Sequence, residues 1–279
     1  MDIKNIIFDL DGVIYLGDRL IEGADRVIEN LEKKYKIFFL TNNATKSREQ
    51  IARKLFSLGI RAREEQIISS AFAAAMAAKK FGYKYAYVIG EEGLKQEIQS
   101  MGINILSHEQ ALKQEFLENA VLISGLDRDF NYSKLKICLR FLKKTNKWIA
   151  CNLDPNYPVE DGLDPGAGAL AAAIAFSLGD LKGRKMNLRY PDLVVGKPSR
   201  FILDLFINKN DRKKSIFVGD RLDVDVVFAK KYGLISVLVL SGVSKKEDIN
   251  NFYYKPDFVI QSVANLEEVL DQFSQKSRL

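Results

Sequence analysis

The stretch Ile3-Lys4-Asn5-Ile6-Ile7-Phe8-Asp9-Leu10-Asp11-Gly12 decides the fold. Its apolar part, Ile3 to Phe8, has the length and branched content of a strand buried on both faces. Two aspartates, one residue apart, then precede a glycine, so the strand is expected to end and the chain to turn there. Both carboxylates can reach a common point beyond the sheet edge. Alone the pattern D-x-D-G is weak, and its bland reading is a strand end with capping acids. It gains weight only from the polar clusters at the ends of other apolar runs.

Those runs alternate with helical patterns, which predicts an α/β protein with a mostly parallel sheet. Strands are expected at Ile3 to Phe8, Lys36 to Leu40, Ala86 to Ile89, Val121 to Ser124, Trp148 to Cys151, Ser215 to Val218, Ser236 to Leu240 and Asp257 to Ile260. Val27, Ile28 and Leu31 share a helical face, as do Ile51, Leu55 and Leu58, with Gly59 placed to stop the second helix. Polar clusters follow the runs near the two ends of the chain, whereas the central strands, from Ala86 to Cys151, lack carboxylate clusters of that kind. This predicts a discontinuous core, residues 1–81 and 184–279, with a second α/β domain, residues 82–183, inserted in its middle.

Composition narrows the function. The 279 residues allow one large domain or two moderate ones, and 47% of them are apolar, enough for a core. The net charge of +6 comes from 42 basic and 36 acidic residues spread along the chain, without a basic block interleaved with aromatics. A solvated surface is expected rather than a nucleic-acid partner. Cys138 and Cys151 have no metal-ligand spacing, so they read as reduced thiols. The single histidine, His108, excludes a multi-histidine metal site and argues against a Ser-His-Asp mechanism. Met1 leads straight into the first strand, and the apolar stretches Ala71 to Ala78 and Ala169 to Phe176 are far short of the ~20 residues a bilayer demands. A soluble, cytoplasmic protein without a membrane partner is expected.

In an open parallel sheet ligands bind beyond the carboxyl ends of the strands. Asp9 and Asp11 end the first strand, Thr41, Asn42 and Asn43 the second; Lys197 sits in Val194-Val195-Gly196-Lys197-Pro198, and Asp220 to Asp225 follow a later strand. Several carboxylates near one lysine, with no histidine, suit a hard cation, and magnesium prefers such oxygen ligands and commonly bridges to phosphate. A carboxylate approaching a phosphate ester needs local positive charge, because at ~4 Å and an effective dielectric of ~20 one charge pair is worth about 4 kcal/mol. Lys197 and a magnesium ion can supply it, and Thr41 with nearby N–H groups can hold the non-bridging oxygens. This is the chemistry of phosphoryl transfer, with aspartate as the nucleophile.

Taken in order, these motifs resemble the haloacid dehalogenase (HAD) superfamily, whose phosphatase members carry the second aspartate. Phe8-Asp9-Leu10-Asp11-Gly12-Val13-Ile14-Tyr15, Leu40-Thr41-Asn42-Asn43, Cys151-Asn152-Leu153-Asp154-Pro155, Pro165-Gly166-Ala167-Gly168-Ala169-Leu170 and Gly219-Asp220-Arg221-Leu222 are similar to its NagD-like branch of nitrophenylphosphatases and of phosphoglycolate, pyridoxal and nucleotide phosphatases. The resemblance spans nearly the whole chain. It implies a Rossmann-like, doubly wound HAD core with an inserted α/β cap, and a magnesium-dependent hydrolase of small phosphate monoesters working through an aspartyl-phosphate. Asp9 is then nucleophile and metal ligand. Asp11 is the acid and base, and its backbone carbonyl binds metal. Thr41, Asn42 and Asn43 hold the phosphate, Lys197 neutralises it, Asp220 is the third protein ligand to Mg2+, and Asp225 supports the metal from behind. Asn156 and Tyr157, in the cap loop Asn152 to Pro158, are candidates for substrate contact. Val224 departs from the threonine frequent in this branch and removes no expected ligand.

Nitrophenyl phosphate is the expected artificial substrate, and phosphoglycolate, a sugar phosphate, a nucleoside monophosphate or pyridoxal phosphate the natural candidates. A homodimer through the cap is the family-based expectation. Phosphotransfer to a sugar acceptor and non-catalytic binding of a phospho-ligand remain alternatives. Asp223 reads as a solvated loop acid and His108 as a surface residue. Gly166 to Ala171 formally fits G-x-G-x-x-A, but the segment Asp154 to Pro165 before it reads as a loop where a dinucleotide site needs a strand. Gly196-Lys197 fails as a P-loop, because Pro191 stands where the leading glycine belongs.

Overall fold

The computed structural model describes residues 2–159, 162–182 and 185–276. The chain divides into two units, one built from Met1–Thr41, Ile51–Ile68 and Lys197–Leu279, the other from Asn42–Gln50 and Ser69–Gly196. The divisions fall after Ile68 and Gly196 rather than at the boundaries expected near Gly82 and Gly183.

The first unit is organised by a six-stranded sheet in the order Phe258–Ile260, Ile235–Val239, Ser215–Gly219, Asn5–Phe8, Lys36–Thr41, Ile67–Ser69. Asn5–Phe8 runs parallel to both of its neighbours, pairing Ile6 with Ile216 on one side and with Ile37 on the other. The chain thus winds outward from its first strand in both directions, as a doubly wound sheet does. Helices cover the sheet, so its strands are apolar almost throughout: Ile6, Ile7, Phe8, Phe39 and Val218 are fully buried. Truncating such a residue, Phe39 for example, costs about 3–5 kcal/mol.

The helix Ala24–Glu32 buries Val27, Ile28 and Leu31, as its periodicity predicts. The helix Arg48–Ser57 buries Ile51 and Leu55, with Leu58 packed behind them. It stops at Gly59, whose φ of +90° lets Ile60 N–H return to Leu55 O at 2.9 Å.

The second unit carries a five-stranded sheet in the order Leu193–Val194, Trp148–Ala150, Ala120–Ser124, Tyr85–Ile89, Asn104–Ile105, all of its pairings parallel. Trp148 is buried in it and donates its indole N–H to Ser124 Oγ at 2.8 Å. Ser70–Lys80 packs on Glu92–Ser100 within this unit, and Leu193–Val194 completes its sheet, so both flanks of the expected insertion belong here. Asn42–Gln50 is bound in as well. The Arg48 backbone N–H donates to the buried Glu97 carboxylate at 2.6 Å, and a Cβ on Gly93 would stand 2.3 Å from the Lys46 carbonyl carbon.

The segment expected to be a loop before Gly166 contains a hairpin, Asn156–Val159 against Gly162–Pro165. A strand does therefore precede Gly166-Ala167-Gly168, but it is an exposed antiparallel one. The spaces beside the two glycines are filled by protein: Cβ atoms there would lie 2.2 Å from Asp154 O and 2.3 Å from Leu153 O. The glycines allow a loop to approach the start of the helix Ala167–Ser177, and no dinucleotide cradle forms. No helix among the described residues is long and apolar enough to cross a membrane.

Candidate active site

Within the first unit the ends of the central strands bring a small set of polar side chains together. Asp9 follows Asn5–Phe8 and is anchored by its own N–H to Val218 O at 2.9 Å. Asp220 follows Ser215–Gly219 directly. The Arg221–Val226 stretch then coils into a wide π-type turn, with Val226 N–H reaching Arg221 O at 3.1 Å, which swings Asp225 back towards the strand end. Asp9, Asp220 and Asp225 each place a carboxylate oxygen within 4.8 Å of the others. Among the described residues no other group of this kind occurs.

Lys197 lies inside this set. Its Nζ is 2.9 Å from Asp9 Oδ1 and 2.8 Å from Asp225 Oδ1, and the residue is only 3% exposed. The second Asp225 oxygen accepts the N–H groups of Asp220 and Arg221, both at 3.1 Å. Asp225 therefore fixes the lysine and the loop that carries Asp220. Asp220 Oδ2 accepts Val243 N–H at 2.8 Å. Three glycines let these acids pack so closely. A Cβ on Gly12 or Gly242 would stand 2.4 or 2.1 Å from Asp220 Oδ2, and one on Gly219 would stand 2.3 Å from Asp225 Cβ.

The electrostatics record a shortage of positive charge. Burial pushes the Asp9 carboxyl well above the ordinary carboxylate range; the Lys197 ammonium pulls it down, while Asp225 and Asp220 push it up again. Asp220 is pushed up to about 7 by burial and by Asp225, against its bond to Val243 N–H and the pull of Lys197. Burial works against the charge on Lys197, but Asp225 and Asp9 outweigh it and hold the ammonium protonated. One lysine thus serves three buried acids. An all-oxygen donor set with unspent negative charge has the chemistry of a hard divalent cation site, and these residues fit magnesium.

Asp11 is exposed, on a turn in which Leu10 O accepts Ile14 N–H at 2.8 Å and Gly12 N–H donates to Tyr15 O at 2.8 Å. Thr41 ends its strand and is buried. Asp223, by contrast, points away from the cluster: it is exposed and paired with Arg221 at 2.7 Å, which holds its carboxyl below the usual range despite partial burial.

The remaining candidates lie in the second unit. Asn42 donates its side-chain N–H to Asp154 Oδ2 at 3.0 Å, and its backbone carbonyl accepts from Asn152 at 2.8 Å. The Asn43 side-chain oxygen accepts the Thr45 N–H at 2.9 Å and hydroxyl at 2.7 Å, closing a local turn. Asn156 is exposed at the start of the hairpin. The Tyr157 hydroxyl accepts from Arg128 at 3.3 Å and donates to Asp164 at 3.2 Å, so its proton is committed within the hairpin. His108 is exposed, its ring 5.8 Å from that of Tyr87.

Sequence reasoning passed over Ser241-Gly242-Val243-Ser244. Ser241 Oγ donates to Gly12 O at 2.7 Å, and Ser244 Oγ accepts Leu222 N–H at 3.0 Å, so this run holds the loops of Asp11 and Asp220 in place. The signal was present: small and hydroxyl residues follow the strand Ile235–Val239 at the same end as the other clusters.

The chain is similar to known proteins along nearly its whole length. The family described as haloacid dehalogenase-like hydrolase matches residues 6–104, and the HAD-hydrolase-like family matches residues 194–266. The chain is 36% identical to phosphoglycolate phosphatase 1A of Arabidopsis thaliana over 94% of its own length and 76% of the relative's. It is 34% identical to 4-nitrophenylphosphatase of Schizosaccharomyces pombe, covering 94% and 92% of the two chains. The chain belongs to the haloacid dehalogenase-like hydrolases, in their NagD-like phosphatase branch.

Solved structures of this family agree with the fold. A protein of Pyrococcus horikoshii OT3 superposes with a TM-score of 0.84 at 36% identity over 96% and 99% of the two chains. NagD from E. coli K-12 superposes at 0.78, with 29% identity over 95% and 98%. A glycerol phosphate phosphatase from Mycobacterium tuberculosis, solved in complex with magnesium, superposes at 0.80, with 27% identity over 95% of this chain and 76% of that one. The α/β architecture is that of the HAD hydrolases.

Proposed function

We propose that this HAD hydrolase cleaves small soluble phosphate monoesters in a magnesium-dependent reaction through a phosphoryl group carried on Asp9. The observation that carries the reading is the placing of one ammonium among three buried carboxylates: Lys197 touches Asp9 and Asp225, and Asp220 completes the set. Asp9, Asp220 and the backbone carbonyl of Asp11 would hold the metal, with Asp225 steadying both Lys197 and the Asp220 loop. Bound there, magnesium offsets the repulsion between the acids and the anionic ester. The magnesium-bound relative supports the same ion here.

The chain's own groups then divide the work. Asp9 Oδ attacks phosphorus, and the bond to the leaving oxygen breaks as Asp11 gives that oxygen its proton. Thr41, followed by Asn42 and Asn43, binds the non-bridging oxygens, and Lys197 stabilises charge on the transferring group. Asp11, now a carboxylate, takes a proton from water. That water attacks phosphorus, the bond to Asp9 breaks, and inorganic phosphate is released. The second unit is the counterpart of the inserted cap of this branch, and its Asn156 and Tyr157 are the candidates for choosing among esters. Nitrophenyl phosphate is the artificial substrate, and phosphoglycolate leads the natural candidates on the strength of its relatives' names. Two buried, unpaired thiols suit a reducing, cytoplasmic setting.

The test is a magnesium-supplemented screen of phosphate esters ranked by kcat/KM, with Asp9→Asn alongside. Phosphate release by the wild type and loss of turnover by a folded Asp9→Asn variant are expected. Phosphorylated acceptor in place of free phosphate would favour phosphotransfer. A stoichiometric ligand complex without release across the panel would favour a binding protein.

A further inference from the structure

A lysine and a buried tyrosine meet beside Asp11 without a part in the proposed chemical steps. Tyr15 is 4% exposed, and it closes the turn that carries Asp11: its carbonyl accepts Gly12 N–H at 2.8 Å, and Asp11 and Tyr15 are bridge partners. Tyr15 and Leu16 continue into a hairpin with Arg19 and Leu20, turning through Gly17 at a φ of +56°. Ile21 N–H returns to Ile14 O at 2.9 Å, so the hairpin and the Asp11 turn form one piece of backbone.

Lys54, on the helix Arg48–Ser57, fastens that piece from outside. Its Nζ lies 3.9 Å from the centre of the Tyr15 ring and donates to Gly17 O at 2.7 Å. It also stands 3.4 Å from Asp18 Oδ1, but that side chain is 98% exposed, so the ion pair contributes little. The ring face and the carbonyl are what hold the ammonium, and the Lys54 side chain is only 17% exposed as a result. A lysine kept for solubility would leave its head in water.

We propose that Lys54 is a positioning residue for Asp11, gripping the Tyr15 ring and the Gly17 carbonyl so that the turn aims the Asp11 carboxyl at the leaving oxygen. This rests on the reading of Asp11 as the general acid. It carries a consequence that plain structural support would not. Protonation by Asp11 matters most when the leaving oxygen is basic, as in an alkyl ester, and least when a nitrophenolate departs unaided. Dependence on Lys54 therefore follows leaving-group basicity.

The experiment compares wild type, Lys54→Met, Lys54→Arg and Asp11→Asn on nitrophenyl phosphate and on the alkyl phosphate the wild type turns over fastest. Lys54→Met should lower kcat on the alkyl ester about ten-fold with KM unchanged, and on nitrophenyl phosphate less than about two-fold. Lys54→Arg should restore most of the loss, since a guanidinium also sits on a ring face. If Lys54→Met does not fold, Lys54→Gln is read by the same ratio. Equal losses on both esters, or none on either, overturn the role of Lys54. If Asp11→Asn is selective for the alkyl ester and the Lys54 variants are not, only this proposal fails. If Asp11→Asn is itself unselective, the acid assignment falls and takes the proposal with it.

Discussion

The Lys197 ammonium and the Asp225 carboxylate form a buried pair at 2.8 Å, both side chains at most 2% exposed. The other Asp225 oxygen receives two backbone N–H groups of the Asp220 loop, so the lysine is held by a rigid partner and kept from lying against Asp9 alone. Replacing Lys197 by Met should lower kcat by at least about a hundred-fold, the usual effect of losing one aimed charge. Lys197→Arg should rescue little, because a planar guanidinium does not fit a space shaped for a single ammonium. Steady-state kinetics check both, with urea denaturation to show that the variants fold.

Metal removal gives the second outcome. EDTA should silence turnover, and added magnesium should restore it. If Asp220 is a ligand, magnesium at ~100 times its Kd raises stability by about 2.7 kcal/mol. A thermal-shift titration should therefore show a rise in Tm with magnesium for the wild type and almost none for Asp220→Asn.

Gly12 is expected to tolerate no side chain. Its φ is +81°, and a Cβ would meet Asp220 Oδ2 at 2.4 Å. Gly12→Ala should cost about 1–2 kcal/mol through the left-handed backbone alone, and it should also displace Asp220. Turnover and the magnesium-induced Tm rise should fall together. A variant that keeps its Tm response would show that Asp220 moves aside without leaving the metal.

Asp257 contributes stability that depends on pH. Partial burial raises its carboxyl, but the bonds from Lys230 and from the Ser236 N–H and hydroxyl outweigh this and hold it below the ordinary range. A depressed carboxyl contributes stability that is present above its unfolded value, near pH 4, and is lost as pH falls through its lower folded value. Asp257→Asn should cost about 1 kcal/mol at pH 7, allowing for solvent screening of the half-exposed ion pair. Urea denaturation should show the gap between variant and wild type closing as pH falls below the ordinary aspartate value of about 4.

Much of this was legible in the residues. The expected apolar runs form strands within a residue or two, because a buried parallel strand must be apolar on both faces and so announces itself. The short strands Ile67–Ser69, Asn104–Ile105 and Leu193–Val194 escape such a reading, since two or three residues carry no period. The hairpin Asn156–Val159 with Gly162–Pro165 reads as a loop, because it is exposed and lacks the alternation of a half-buried strand. The unit boundaries shifted because Ser70–Lys80, largely alanine, shows no polar face from which its partner could be inferred.

By itself the sequence determined the α/β class, the strand ends at which Asp9, Asp11, Thr41 and Asp220 stand, and the family to which such a set, with Lys197, belongs. These follow from local pattern: apolar runs, turn residues and the type of acid or base placed just beyond them. Only the tertiary structure decided which of these groups touch. That Lys197 lies between Asp9 and Asp225, that Gly12 and Gly242 leave room for one oxygen of Asp220, and that Lys54 reaches the Tyr15 ring all depend on packing between residues distant in the chain. Distances of about 3 Å between strand ends are set by sheet order and side-chain volume together, and no local stretch of sequence encodes either.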